Sequence, residues 1–196
     1  LLLIYKTLMA LLLPVLIIRL LIRSIGDSSY RLNLPERLAF FSHDTSADIW
    51  IQAVSLGEVR ASAELVESLL KAFPKSKVLI TSTTPSGSAE VRRLFGDRVK
   101  HSLMPYDSTL VVRSALSQIC PKAVILMETE IWPVLLHELR KRGIPSFLVN
   151  GRMSSKSANG YLRFSALTRY LFGYLDTVYA QYESDRDNFI SLGVQP

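Results

Sequence analysis

Short apolar segments alternate with longer amphipathic segments along most of the chain. The apolar segments have the length of buried strands and comprise Trp50–Val54, Val78–Thr83, Val99–Leu103, Ala123–Met127, Ser146–Val149 and Thr177–Ala180. Between them, apolar residues recur at helical spacing, which predicts helices that include Glu58–Phe73, Pro133–Arg142, Ser157–Leu175 and Ser184–Leu192. Strands that alternate with helices predict an α/β fold, in which helices cover both faces of a parallel, Rossmann-like sheet.

The amino-terminal stretch has a different pattern, because it is nearly all apolar and only Lys6, Pro14 and Arg19 interrupt it. The run without a charged residue, Thr7–Ile18, is shorter than the ~20 residues that a spanning helix needs. Basic residues near the ends of a membrane helix can, however, reach the lipid headgroups. We therefore predict that residues 1–23 form a membrane anchor, either spanning or half-buried. The alternative is a buried core helix.

The anchor prediction divides the chain into three parts. Residues 24–48 are a polar connector, and residues 49–196 form the α/β domain. Four arginines follow the start of the apolar run, namely Arg19, Arg23, Arg31 and Arg37. Because basic residues favour the inner side of a membrane, this pattern predicts that the domain lies on the cytoplasmic side.

The chain is basic, with 23 Lys and Arg against 17 Asp and Glu and a net charge of +6. The excess is concentrated between Leu139 and Leu175, where seven basic residues occur without an acid. Such a segment suits phosphate groups, an anionic membrane surface or nucleic acid. No aromatic-basic RNA motif accompanies it, so we expect a membrane surface and no nucleic acid as partner. Cys120 is the single cysteine, which excludes an intrachain disulfide and fits a reducing compartment.

Parallel strands put their carboxyl ends at one edge of the sheet, where open α/β sheets bind ligands. The first strand leads into Ser55-Leu56-Gly57, which we interpret as a tight glycine turn, and Glu58 begins a helix. The exposed N–H groups and the dipole of a helix start favour a charged carboxylate. An ionised carboxylate at the mouth of a cleft is a candidate general base. The alternative is that Glu58 is an ordinary first-turn acid.

Further polar residues follow the other strands and are expected at the same edge, among them Thr84, Glu128, Glu130, Asn150 and Arg152. Glu128 and Glu130 come directly after the most apolar strand. Burying charge there is costly unless a positive or hydrogen-bonding group lies near. The pair is therefore a candidate functional site; the alternative is an acid pair that starts the helix at Pro133.

The sequence predicts neither a metal site nor a nucleotide site. The three histidines, His43, His101 and His137, are scattered along the sequence. With a single cysteine, the chain lacks the closely spaced Cys and His ligands of a zinc site. Asp185 and Asp187 lie at a predicted helix start, where capping and dipole effects explain them. No G-x-G-x-x-G or Walker sequence occurs.

Five motifs occur in order: S-L-G-E-V-R-A (Ser55–Ala61), T-S-T-T-P-S-G-S (Thr81–Ser88), M-P-Y-D (Met104–Asp107), M-E-T-E-I-W-P (Met127–Pro133) and N-G-R-M-S (Asn150–Ser154). With the apolar amino end, they closely resemble the amino-terminal half of the bacterial 3-deoxy-D-manno-octulosonic acid (Kdo) transferases. The resemblance covers essentially the whole chain. It implies the amino-terminal domain of a two-domain GT-B glycosyltransferase at the bacterial inner membrane.

The resemblance also implies partners and roles. The amino-terminal domain of the family binds a lipid A precursor, the carboxyl-terminal domain binds the donor CMP-Kdo, and no cofactor is implied beyond that donor. By resemblance, Glu58 is the base that deprotonates the acceptor hydroxyl, and Glu128 stabilises the transition state. The expected substrate-binding residues are Ser55, Gly57, Thr84, Glu130 and Arg152.

The chain departs from the family pattern in several places. Gln52 stands where His is usual, Gly151 where Ala is common, and Met153 replaces Leu, all beside the presumed base. The chain ends at Pro196, where relatives continue into a donor domain that holds a second stabilising residue, a lysine. We therefore expect a fragment that is inactive alone. The alternative is a non-catalytic module that binds the acceptor.

Overall fold

The computed structural model describes residues 2–31 and 33–195. The strands are β1 (Ile49–Gln52), β2 (Val78–Ser82), β3 (Lys100–Leu103), β4 (Ala123–Met127), β5 (Ser146–Gly151) and β6 (Thr177–Ala180). All neighbouring strands are parallel, and their order is β3-β2-β1-β4-β5-β6. The predicted parallel α/β fold is confirmed. β4 and β6 have the predicted bounds, whereas β1 ends before the predicted Val54.

The α-helices are α1 (Leu2–Gly26), α2 (Leu56–Ala61), α3 (Ala63–Ala72), α4 (Pro85–Phe95), α5 (Thr109–Ile119), α6 (Pro133–Arg142), α7 (Ser155–Leu162), α8 (Ser165–Phe172) and α9 (Glu183–Ser191). Two predicted helices are each split in two, into α2 with α3 and into α7 with α8. The first break is at Ser62, whose hydroxyl donates back to the Val59 carbonyl oxygen at 2.8 Å, a contact that bends helices. The second is at Phe164, which leaves helical geometry with φ −118° and ψ 45°. Apolar periodicity continues across both breaks, so it could not reveal them.

The two faces of the sheet are covered by separate cores. Trp50 and Leu126 belong to the core that also contains apolar residues of α5, α6 and α9. Ile51 and Ile125 belong to the other core, which contains apolar residues of α2, α3 and α4. Helices therefore cover both faces, which explains why the central strands β1, β2 and β4 are buried on both faces rather than on alternate residues.

Helix α1 lies on the outside of the first core. Tyr5 and Leu13 pack against that core, but only 6% of the most apolar 18-residue window of the helix is buried, and its mean hydropathy is 2.3. Large apolar side chains such as Leu11 and Ile25 are more than two-thirds exposed, at 71% and 77%. A buried core helix does not fit this exposure. The helix is long and apolar enough to cross a membrane.

Asp107 joins α1 to the α/β domain. Its fully buried carboxylate accepts hydrogen bonds from the Tyr5 hydroxyl at 3.0 Å and from the backbone N–H groups of Val134 at 3.0 Å and Leu135 at 2.8 Å. The two N–H groups are unpaired donors of the first turn of α6, so Asp107 caps that helix from a distant part of the chain. Burial raises the pKa of Asp107 to about 6, although these hydrogen bonds oppose the shift.

The segment predicted as a polar connector, residues 24–48, contains two short 3-10 helices, Ser28–Arg31 and Leu34–Leu38. The Glu36 carboxylate is buried and accepts the Ser102 hydroxyl and the Leu103 N–H, both at 2.8 Å. The connector is therefore fastened to β3, which its polar composition does not indicate.

We expect Asp107→Ala to lower the free energy of unfolding by about 3 kcal/mol, because two N–H groups of α6 and the Tyr5 hydroxyl lose their acceptor. Tyr5→Phe removes only one donor to the same carboxylate and should cost about 1 kcal/mol. Guanidinium denaturation of the detergent-solubilised chain measures both values. Equal losses in the two variants would contradict the capping role.

Candidate active site

Glu58 lies in the first turn of α2, just past the carboxyl end of β1, and 7% of its surface is exposed. Ser55 is the N-cap of the helix, and its Oγ accepts the Glu58 N–H at 3.3 Å. In return, the Glu58 carboxylate accepts the Ser55 hydroxyl at 2.9 Å and the Val54 N–H at 2.8 Å. This reciprocal arrangement is a form of capping box. It fixes the carboxylate at the edge of the sheet.

The pKa of Glu58 is raised above its ordinary value. Burial is the main cause and the charge on Glu128 adds to it, whereas the hydrogen bonds from Val54 and Ser55 oppose it. The sequence predicted the opposite, an acid whose charged form the helix start favours. That prediction was wrong because desolvation outweighs the helix-start donors. A carboxylate with a raised pKa binds a proton more firmly, which suits a general base that works near neutral pH.

Two residues near the ends of β4 and β5 have the left-handed conformation, Glu128 in the turn after β4 with φ 57° and Asn150 in the last part of β5 with φ 58°. The Glu128 N–H donates to the Val149 carbonyl oxygen at 2.9 Å, and the register of β5 shifts between Val149 and Gly151. Side-chain-bearing residues rarely adopt this conformation, and such strain concentrates at functional sites. A strained turn after β4 and an irregularity near the end of β5 thus lie side by side at the edge where Glu58 lies.

Glu130 completes a cluster of three carboxylates, Glu58, Glu128 and Glu130. The pKa of Glu130 is raised to about 7, first by burial and then by the negative charges of Glu58 and Glu128. The structure therefore brings the three predicted acids together. Neither Glu128 nor Glu130 lies in the first turn of α6, which begins at Pro133, so the alternative of a helix-starting acid pair does not fit.

The loop after β2 borders the same edge. Thr84 caps α4, because its Oγ1 accepts the Gly87 N–H at 3.1 Å. The neighbouring Thr83 donates its N–H and its hydroxyl to the Val54 carbonyl oxygen at 3.0 and 2.9 Å. The loops that carry Thr84 and Glu58 are thus directly hydrogen-bonded.

Gly57 does not form the predicted tight glycine turn. It is exposed, lies within α2 and is not among the residues with positive φ. The prediction was wrong because Ser55, in extended conformation, makes the turn and the helix starts at Leu56. An added Cβ at Gly57 would meet only the Ser55 Oγ, at 3.7 Å, so the position leaves open space beside the carboxylates.

Arg152 follows β5 on the same edge. Its carbonyl oxygen accepts the Thr129 hydroxyl at 2.8 Å, which places it beside the turn between Glu128 and Glu130. The side chain is exposed. In the described part of the chain the guanidinium forms no ion pair, so it is available to a ligand.

Sequence reasoning missed two residues near the site. Arg37 is buried and donates from Nη2 to the Thr83 carbonyl oxygen at 2.6 Å, while its Nε meets no acceptor among the described residues. The buried indole N–H of Trp132 lies near the Glu130 carboxylate and opposes the rise in its pKa, although the contact is too long or too bent for a regular hydrogen bond. The motif that contains Glu130 could have indicated Trp132. An arginine in a polar connector gives no such signal.

Within residues 2–31 and 33–195, no group of three or more His, Cys, Asp or Glu side chains is placed to hold a metal ion. Asp185, part of the acidic pair noted in the sequence, accepts the Met153 N–H at 2.8 Å. Its carboxylate therefore holds the turn after β5 in place.

Glu130 should make the protein less stable as the pH rises from about 4.5 to about 7. Its pKa is higher in the folded state than its ordinary value of 4.5. The folded state therefore loses this proton at a higher pH than the unfolded state does, and ionisation of Glu130 opposes folding. Glu130→Gln should remove this loss and raise the free energy of unfolding at pH 8 by about 2 kcal/mol, allowing for partial exposure, and much less at pH 4. Urea denaturation at both pH values measures the difference. Glu64→Gln, at an exposed position of α3, is the control; a gain for Glu130→Gln that is the same at both pH values would contradict the shift.

A family model described as 3-deoxy-D-manno-octulosonic-acid transferase (kdotransferase) matches residues 32–196. Over 192 residues, the chain is 32% identical to a 3-deoxy-D-manno-octulosonic acid transferase of Haemophilus influenzae, which covers 96% of this chain and 45% of the relative. It is 41% identical over 156 residues to a protein of the same name from Bordetella pertussis, covering 76% and 35%. A bifunctional glycosyltransferase/methyltransferase of Fusobacterium nucleatum is 29% identical over 185 residues, covering 88% and 29%.

The chain spans less than half the length of these curated relatives. The matched region contains the whole parallel sheet and the three clustered carboxylates. The observed fold, a parallel α/β sheet preceded by an apolar helix, agrees with the amino-terminal domain of a GT-B glycosyltransferase. The chain belongs to the Kdo transferase family and corresponds to its amino-terminal half.

Proposed function

We propose that this chain takes part in the transfer of Kdo from CMP-Kdo to a lipid A precursor. In this proposal, the α/β domain binds the acceptor and a carboxyl-terminal domain binds the donor. The observation that carries the proposal is the carboxylate cluster, in which Glu58 is buried and has a raised pKa at the ligand-binding edge of the sheet. The names of the relatives support Kdo as the transferred sugar.

The reaction joins a hydroxyl oxygen of the acceptor to the anomeric carbon of Kdo. As this bond forms, Glu58 takes the hydroxyl proton, because a free alkoxide is too unstable near neutral pH. The bond between the anomeric carbon and the phosphate oxygen of CMP breaks, and CMP leaves with the electron pair. Glu128 supplies negative charge near the carbon as positive charge develops there. The proposal requires no metal and no cofactor beyond the donor.

The other site residues support these two acids. Ser55 orients Glu58 through their reciprocal hydrogen bonds. Glu130, with its pKa near 7, can hold a proton at neutral pH and donate it in a hydrogen bond to the acceptor. Gly57 leaves space for the acceptor. Thr84 and Arg152 border that space and bind the acceptor.

We place the α/β domain on the cytoplasmic side of the bacterial inner membrane, anchored by α1. In this proposal α1 is the half-buried form of the anchor, because Tyr5 near its start stays hydrogen-bonded to Asp107 of the domain. Arg19 and Arg23 follow its most apolar part. Exposed basic residues would lie against anionic headgroups and contribute about 1 kcal/mol each; they are Arg140, Lys141, Arg142, Lys156 and Arg163.

A non-catalytic module that binds the acceptor is the second candidate. Mixing the chain with a separately produced donor domain distinguishes the two functions. Restored transfer supports the enzyme, whereas acceptor binding without transfer supports the module.

Glu58→Gln should lower the rate of Kdo transfer by about two to four orders of magnitude, because an amide cannot accept the hydroxyl proton. Folding and acceptor binding should persist, since the amide oxygen can accept the Val54 N–H while the amide NH2 group donates to the Ser55 hydroxyl oxygen. Product formation from CMP-Kdo and a lipid A precursor, with the donor domain present, measures the rate. Glu64→Gln is the matched control. Turnover close to that of the unchanged protein would remove Glu58 from the mechanism.

Deletion of residues 1–23 should move the protein from the membrane fraction to the soluble fraction without unfolding the α/β domain. The deletion removes the Tyr5 hydrogen bond, but Asp107 keeps its two bonds to α6. Centrifugation and circular dichroism test both parts. Aggregation with loss of the helical signal would show instead that α1 belongs to the folding core.

A further inference from the structure

A second cleft lies between α1 and the carboxyl end of β2, outside the carboxylate cluster. It has a volume of about 270 Å³, and none of the described residues that line it is acidic. Its lining includes Arg19, Arg23, Tyr30, Arg37, Thr83 and Thr84. We call this space the arginine cleft.

Arg37 gives the arginine cleft its chemical character. The residue is 5% exposed, and in the described part of the chain it forms no ion pair. One guanidinium nitrogen donates to the Thr83 carbonyl oxygen, but the buried Nε has no acceptor there. The charge of Glu36 acts on Arg37 only at a distance, and a desolvated guanidinium without a directly bonded carboxylate is costly. Burial accordingly lowers the pKa of Arg37. An anion in the cleft would supply both the missing charge and the missing acceptor.

Two further arginines and a helix start favour the same ligand. The Arg23 guanidinium lies over the Tyr30 ring, 4.4 Å from its centre, which holds it at the wall of the cleft. Arg19 lines the cleft one helical turn earlier. Thr84 begins the eleven-residue helix α4, whose amino end carries positive partial charge. Several guanidinium groups that meet a helix start suit a phosphate group.

The position of the cleft along α1 identifies the source of that phosphate. Tyr5, near the start of α1, is hydrogen-bonded to Asp107 of the α/β domain, so an α1 anchor would lie half-buried along the membrane surface with the domain rather than cross the bilayer. Near the other end of the helix, the cleft is lined by Arg19. The apolar residues nearest to it, such as Ile18 and Ile22, are exposed at 56% and 63%. An anchor helix of this kind would bring the cleft to the level of the headgroups. We propose that the arginine cleft binds the phosphate group of an anionic membrane lipid.

A short path of contacts connects this cleft to the carboxylate cluster. Arg37 binds the Thr83 carbonyl oxygen at 2.6 Å, Thr83 binds the Val54 carbonyl oxygen, and the Val54 N–H binds the Glu58 carboxylate at 2.8 Å. Because the cleft and Glu58 border two hydrogen-bonded loops, we expect the rest of a lipid headgroup bound there to extend toward Glu58. This positioning of the acceptor rests on the proposed function, whereas binding of the phosphate does not.

The test is a calorimetric titration of the full chain in neutral detergent with dihexanoyl phosphatidic acid. Phosphatidylcholine of the same chain length and inorganic phosphate are the comparison ligands. We expect phosphatidic acid to bind at least tenfold more tightly than either, because the cleft recognises an exposed phosphate on an amphiphile. Arg37→Gln and Arg23→Gln should each weaken this binding at least tenfold. Lys75→Gln, which removes an exposed charge elsewhere, should leave it unchanged.

Arg23 is exposed, so its variant keeps the test valid even if Arg37→Gln does not fold. Equal binding of phosphatidylcholine, or phosphate binding as tight as that of phosphatidic acid, would overturn the lipid assignment. If Arg152→Gln abolished binding and Arg23→Gln did not, the phosphate would bind beside Arg152 and not in the arginine cleft, which would overturn the proposal. The probe accepts no sugar, so its binding is independent of Kdo transfer. An inactive Glu58→Gln chain that still binds it would separate the two proposals.

Discussion

The parallel pairing of β1 with β4 is the constraint on which the site depends. Gln52 is the register partner of Leu126, so the turns that follow these strands, which carry Glu58 and Glu128, leave the sheet side by side. The strand order reverses direction at this pair, because β2 lies on one side of β1 and β5 on the far side of β4. In open α/β sheets, ligands bind at such a reversal. Residues from motifs that are far apart in the sequence therefore lie together at this edge of the sheet.

Several carboxylates are buried in this domain, and the groups around each one distinguish a structural role from a functional role. Asp107, Glu36 and Asp185 each accept backbone N–H groups from a distant element. Glu58 also accepts a backbone N–H, but it shares its environment with Glu128 and Glu130. Like charges that raise the pKa of a neighbouring acid oppose folding and add no structural contact. That cost is characteristic of a site that handles protons.

The sequence predicted the fold well because both strand length and helical periodicity are local signals. β4 and β6 have the predicted bounds, and the parallel arrangement followed from the alternation itself. The breaks at Ser62 and Phe164 were missed because one hydroxyl contact and one backbone angle determine them, and neither changes the apolar pattern. The ionisation of Glu58 was predicted in the wrong direction, since burial depends on tertiary packing that a motif does not show. Arg37 was missed for the same reason.

Glu58 and Glu130 are desolvated acids in this structure, and the charge of Glu58 raises the pKa of Glu130. Carbon-13 NMR titration of the glutamate carboxyl groups in the detergent-solubilised chain tests this effect directly and requires no donor domain. The account predicts that both residues titrate above the ordinary value of 4.5, with Glu130 near 7, and that Glu58→Gln lowers the pKa of Glu130. Two glutamates that titrate at 4.5, or a Glu130 pKa that is unchanged in Glu58→Gln, would contradict the account.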